Sequence, residues 1–236
     1  MFSPYDLSRR LKPTSIAGCI LWLSADKLNL ANDSLVQTWP DRSGRGNDAS
    51  QATGSARPTL KTNTKNTRPT LSLDGGDDLD VANESNFDIG TYTLFGVAVR
   101  TAGATLIAKN VLIAGATRRK LQIDITDDFQ LSAGADGSSI ATAATVSNYN
   151  IYCVVGRADA DHDLVLNGDI TNSTTTLDDT SFNNGILEIG GAFSNGAERL
   201  TGNIAEIIIY NRALQRRERT RVEKYLSRHW GVALSY

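Results

Sequence analysis

The chain reads as all-β: an antiparallel two-sheet sandwich of jelly-roll type, closed by one C-terminal amphipathic helix. Three observations carry that reading. Short runs rich in β-branched and aromatic residues recur along the 236 residues, which favours strands over helices. Clusters of Gly, Asn, Asp and Pro separate them roughly every 8–12 residues, the rhythm of sandwiches and barrels. A helical period appears once, near the end, where Val222, Tyr225, Leu226 and Trp230 fall at i, i+3, i+4 and i+8.

In chain order, residues 1–17 are polar and mixed, with Pro4 and Pro13 and a basic cluster at Arg9, Arg10 and Lys12. They lack apolar periodicity, so we expect an extended assembly arm outside the core, with the globular domain running from 18 to 236. Cys19–Ala25 reads as the first core strand and Ser34–Trp39 as a second. The segment 40–48 is a turn-rich loop in which Asp41 and Asn47 can bond their own backbone. Residues 48–65 are polar and show no strong period.

Pro69–Leu73 alternates, Asp74-Gly75-Gly76-Asp77-Asp78 makes a turn, and Leu79–Val81 follows. Tyr92–Arg100 is apolar on both faces, as in the middle of a covered sheet. Shorter strands are expected at Ala104–Ala108, Lys120–Ile125, Phe129–Ala133, Ile151–Gly156 and Ile186–Ile189. Asp163–Leu166 and Asp169–Thr175 flank Asn167-Gly168, a hairpin signature. Ile204–Tyr210 is a buried strand. The helix after it ends at Gly231, where a left-handed residue would terminate it.

The net charge of −2 argues against a general nucleic-acid binder. No apolar run is long enough for a transmembrane helix. The charge is uneven: residues 212–228 carry seven Lys and Arg against Glu218 and Glu223, a net of +5, leaving about −7 elsewhere. Cys19 and Cys153 lie in apolar stretches and read as reduced core residues. The opening residues lack the basic, apolar, small order of a secretory leader.

Two stretches then resemble a known family. Leu21–Asp26 (L-W-L-S-A-D), the segment 36–51 and Pro69–Leu79, with Gly202–Leu214 and the Glu, Tyr-Leu and Trp-Gly that follow, resemble the opening and closing segments of concanavalin A-like, laminin G-like jelly-roll domains. Gln215 departs from that resemblance, standing where the family often has Ser or Asp as a helix cap. Domains of this kind occur in bacteriophage tail and fibre proteins, bacterial surface proteins and carbohydrate-binding modules. On this fold, the missing catalytic set, the missing secretory leader and the N-terminal arm lead us to expect a non-enzymatic virion structural protein, a tail, fibre or decoration component. Its partners would be other virion subunits or copies of itself, with surface glycans as a further partner. The alternative is a free carbohydrate-binding module or, less favoured, a glycan-active enzyme; the alternative location is a bacterial surface.

Candidate chemistry is sparse. The Glu-x-Asp-x-Glu strand of the related glucanases is missing; Asp124 has Gln122 and Thr126 at the alternating positions. His162 and His229 read as surface residues. Asp74, Asp77 and Asp78 have two readings: an Asp-rich turn, or Ca²⁺ ligands, since related lectin-like domains often bind calcium. Asp159, Asp161 and Asp163 are a second acidic set. Arg216, Arg217, Arg221 and Lys224 form a basic helix face. They are either a solvated surface with an Arg219–Glu223 pair at i, i+4, or a site for phosphates or acidic glycans. Trp22, Trp39 and Trp230 read as core aromatics.

Overall fold

The structure, a computed structural model, describes residues 11–81, 84–103, 105–113, 116–125, 128–133, 138–143, 147–157, 162–174, 186–191 and 199–236. Its strands in chain order are β1 (Cys19–Ser24), β2 (Thr38–Trp39), β3 (Ala49–Ser50), β4 (Thr59–Lys65), β5 (Arg68–Asp74), β6 (Leu79–Val81), β7 (Tyr92–Ala102) and β8 (Thr105–Ile113). They continue as β9 (Ala116–Ile125), β10 (Asp128–Ala133), β11 (Ser138–Ala143), β12 (Asn150–Gly156), β13 (His162–Leu166), β14 (Asp169–Thr174), β15 (Ile186–Ile189) and β16 (Thr201–Tyr210). One helix, α1 (Arg216–Trp230), closes the chain.

Two antiparallel sheets result. The first runs β14-β13-β12-β7-β16-β5-β4, with β1 also paired to β16; the second runs β11-β10-β9-β8-β15-β6-β3-β2. Strand β16 is the axis of the first sheet. It pairs with β7 along its length, while β5 takes its first residues and β1 its last. The first layer of core, between the sheets, holds Leu21, Trp39, Leu71, Leu94, Leu106, Phe129, Tyr152, Ile204 and Ile207. A second lies outside the first sheet, where Trp22, Phe95, Val97, Cys153, Ala205, Ile208 and Tyr210 meet Val222, Leu226 and Trp230 of α1. Sheet positions alternate between the two layers as a period of two requires. Burying the three helix side chains contributes roughly 1.5–3 kcal/mol each as an upper value.

The expected strands are largely present, with differences that have physical causes. Between 34 and 39 only Thr38–Trp39 forms a ladder; Leu35, exposed, makes an isolated bridge to Thr59. Within the polar stretch 48–65, β3 and β4 do form. Strand β4 is a sheet edge whose main chain pairs with β5, so it needs few apolar side chains. Both cysteines are free and buried.

The expected arm needs correction. Arg9 and Arg10 lie outside the described residues, but Leu11 and Ile16 are buried in the second core, flanking a 3₁₀ turn at Pro13–Ser15. The Tyr210 hydroxyl donates to the Pro13 carbonyl at 3.0 Å. Residues 11–17 therefore belong to the folded body, and Lys12 is an exposed residue on its surface.

Candidate functional site

An open cleft of about 740 Å³ lies between the outer face of α1 and the β13–β14 turn. Its position follows from local sequence. Asn167 and Gly168 take φ of 51° and 94°, the positive values a two-residue hairpin turn demands. The Asn167 side chain anchors the turn to β12, accepting from the Ile151 amide at 2.9 Å and donating to Asn150 Oδ1 at 2.8 Å. Gly168 has a second constraint: a Cβ there would come within 2.2 Å of the Tyr236 ring. The absent side chain leaves room for that ring against the turn, and the Ser235 amide, donating to the Asn167 carbonyl at 3.0 Å, holds the last residues in place.

Tyr236 is the aromatic wall of the cleft. Its hydroxyl donates to Glu223 Oε2 at 2.8 Å, and Lys224 Nζ lies 5.8 Å from its ring centroid. Glu223 is fully buried, and its other oxygen accepts from Arg219 Nε at 3.1 Å. Burial pushes the Glu223 carboxyl above its ordinary range, against the pull of Tyr236 and Arg219. Partial burial, reinforced by donation to Glu223, pushes the Tyr236 phenol up to about 12. The Arg219–Glu223 pair expected from the i, i+4 spacing is present, but it is buried beneath the cleft, not on a solvated face.

Arg216, Arg217, Arg221 and Lys224 all line the cleft and are exposed. Among the described residues none of the four is in a salt bridge, whereas Arg219 and Arg212 are. Opposite them stand Asp169 and Ile170 of β14, the latter 52% exposed. Chemically the cleft offers cations, an aromatic face and an aliphatic face. Sequence reasoning found the four basic residues and the hairpin turn. It missed Tyr236 and Ile170, and the seating of Tyr236 on Gly168, which only tertiary folding brings about.

The acidic turn is a different matter. Asp74 Oδ1 accepts from the Gly76 amide at 2.7 Å, and Asp77 Oδ2 from the Asp74 amide at 3.1 Å. Asp78 Oδ2 accepts from Gln51 at 3.0 Å, and its Oδ1 stands 3.0 Å from Arg199 Nη1. Arg199 also donates to the Gly76 carbonyl. Burial, with the neighbouring Asp74 and Asp78, pushes the Asp77 carboxyl up to about 6 despite the Asp74 amide. These donors do not fit Ca²⁺: the carboxylates serve turn amides and a guanidinium already stands beside Asp78. No group of three His, Cys, Asp or Glu converges on a point among the described residues. Asp159 and Asp161 lie outside the described residues, and Asp163 pairs with Arg157 at 2.7 Å.

Of the histidines, His162 is not a surface residue; it begins β13 and is buried. His229 is half-buried, stacked on Tyr225 and 3.0 Å from Asp26 Oδ2. The three tryptophans are core residues, as expected.

No protein-family model matches the chain, and no curated protein matches it in sequence. Solved structures do resemble it in fold. The binding domain of Paraclostridial Mosquitocidal Protein 1 superposes with a TM-score of 0.65 at 14% identity, over 90% of this chain and 52% of that one. The chain thus spans about half the length of that protein's structure. Domain 4 of AbnA, a GH43 extracellular arabinanase from Geobacillus stearothermophilus solved with arabinotriose, gives 0.63 at 12% identity over 88% and 97%. The CBM40 of Ruminococcus gnavus IT-sialidase, bound to α2,3 sialyllactose, gives 0.56 at 17% over 65% and 96%. At these identities the likeness establishes the fold alone: an antiparallel β-sandwich.

Proposed function

We propose that the chain is a non-catalytic carbohydrate-binding domain that holds its glycan in the cleft between α1 and the β13–β14 turn. The observation that carries this reading is Tyr236, a ring fixed by Glu223 and seated on Gly168 at the wall of an open cleft of ligand size. A pre-positioned aromatic face beside hydrogen-bond donors suits a sugar, which has an apolar face and a polar rim. The buried carboxylate under the cleft, Glu223, has one oxygen engaged by Arg219 and the other by Tyr236. It therefore braces the wall and is not offered to a substrate. Likeness to an arabinanase domain and to a CBM40 supports the same class.

Within a larger viral or bacterial assembly the same cleft would serve attachment to surface glycans. A virion structural role as such has no observation to carry it. Its expected arm is in part core, and the similar structures named above are domains of a toxin, an arabinanase and a sialidase.

Titration calorimetry against a panel of oligosaccharides tests the proposal. Tyr236→Ala should weaken binding about tenfold and Tyr236→Phe much less, because the ring supplies the contact. A panel without any binder, or binding indifferent to Tyr236→Ala, removes the assignment.

A further inference from the structure

We propose that the ligand of this cleft is an acidic oligosaccharide bearing more than one carboxylate or sulfate, held along Arg217, Arg221 and Lys224. The inference rests on the carbohydrate-binding reading and adds the chemistry of the ligand. The three residues stand at i, i+4 and i+7, one stripe of α1. Their charges recur at rises of about 6 and 4.5 Å, roughly 10 Å of helix axis in all. Arg216, a turn ahead of Thr220, adds a fourth cation to the same cleft.

The fold distinguishes these cations from two other arginines nearby. Arg212 is gripped by both oxygens of Glu218, at 2.7 and 2.6 Å, and Arg219 by Glu223 at 3.1 Å. Arg216, Arg217, Arg221 and Lys224, which line the cleft beside Arg219, are in no salt bridge among the described residues. Arg217 and Arg221 repel each other at i, i+4, in a chain whose net charge is −2 and which has acidic residues to spare. A ligand anion bound between them relieves that repulsion, and guanidinium groups bind carboxylate and sulfate oxygens in paired fashion. A ligand with one charge would satisfy one position of the stripe and leave the rest. Several charges on a short chain match it.

A sugar backbone suits the remainder of the cleft better than a nucleic acid. Tyr236 and Ile170 are exposed apolar surfaces flanking the stripe, ready for ring faces. Asp169 on the opposite wall and the −7 of the remaining chain oppose a long polyanion running past the cleft.

The test measures binding of the full chain to four probes: a tetragalacturonate, a heparin-derived tetrasaccharide, neutral cellotetraose and a short single-stranded oligonucleotide. Each is titrated at about 0.05 and 0.5 M salt, concentrations that bracket strong and weak screening. We expect an acidic tetrasaccharide to bind and to lose about tenfold or more in affinity between the two salts. Which of the two binds better separates carboxylate from sulfate. Arg217→Ala and Arg221→Ala should each cost about tenfold with an unchanged melting temperature, and Arg217→Lys should recover only part of that loss, because an ammonium cannot make the paired contact.

Cellotetraose bound equally at both salts, and indifferent to Arg217→Ala, overturns the acidic ligand and leaves the carbohydrate-binding reading standing. Preference for the oligonucleotide over every glycan overturns both in favour of a nucleic-acid surface. Failure of both glycan classes to bind removes both readings together.

Discussion

The indole of Trp230 donates its Nε1 proton to Glu206 Oε2 across 2.5 Å, tying the last turn of α1 to the middle of β16. Glu206 is fully buried, and its other oxygen accepts from Trp22 Nε1 at 2.6 Å and from the Tyr225 hydroxyl at 2.9 Å. One carboxylate thus joins β1, β16 and α1, segments from both ends of the chain. A register shift between Ile204 and Glu206 makes this possible. Ile204 faces the inter-sheet core and Ala205 the helix layer; the bulge lets the next residue, Glu206, meet helix-side partners as well.

Glu206→Gln should therefore destabilise the domain. A glutamine offers one acceptor oxygen in place of two, so at least one of the three donors faces an amide NH₂. The expected cost is about 1–3 kcal/mol, or a melting temperature lower by roughly 2–4 °C for each kcal/mol. A melt within about 1 °C of the parent would show that the three bonds are not what holds α1.

The Asp77 carboxyl gives a pH signature. Its folded value of about 6 lies above the ordinary 3.8, because burial and two neighbouring aspartates disfavour its charge. A group raised on folding contributes stability that is complete below its unfolded value and lost as pH rises through its folded value. The loss falls between about pH 4 and pH 6. Asp77→Asn, which keeps an acceptor for the Asp74 amide, should match the parent at pH 4 and exceed it at pH 7 by up to roughly 2 kcal/mol. Denaturant midpoints at the two pH values check this; equal destabilisation at both would refute it.

Chelation should do nothing to the fold. Arg199 sits beside Asp78, and the turn amides occupy Asp74 and Asp77, so removing divalent cations takes away no ligand of the folded state. Differential scanning calorimetry in excess EDTA, then with Ca²⁺ restored, should give superimposable melts. A Ca²⁺-dependent rise would return these carboxylates to the role of ligands.

How far the sequence could be read depended on whether the signal was local. The run Ile204–Tyr210, the Asn167-Gly168 turn and the stripe Val222-Leu226-Trp230 declare themselves because period and turn chemistry are set within a few residues. Strand β4 did not, because an edge strand is held by main-chain bonds and its side chains can stay polar. His162 sits among aspartates in sequence, yet strand pairing with β14 carries it inside. The basic half of the cleft was legible as composition on one helix face. Tyr236 and Ile170 were not, since what brings them to the helix is the packing of the last residues on a hairpin turn far upstream.

The last expectation concerns the start of the chain, where two truncations should part company. Every side chain of the described second core lies at or beyond Leu11. Deleting residues 1–10 removes none of them, so the domain should still fold. Deleting 1–17 removes Leu11 and Ile16, each worth roughly 1.5–3 kcal/mol of burial at most, and takes away the Pro13 carbonyl that accepts the buried Tyr210 hydroxyl. An unpaired buried hydroxyl adds about 1–3 kcal/mol. The longer deletion should be markedly less stable, and its core newly exposed to dyes that bind apolar surface. Light scattering on the shorter deletion isolates the proposed assembly role of the segment carrying Arg9 and Arg10, because the folded body stays intact. A smaller particle than the parent supports an assembly arm, and an unchanged mass removes it. If the 1–17 deletion melts with the parent, the packing of Leu11 and Ile16 contributes nothing, and the domain begins at residue 18 after all.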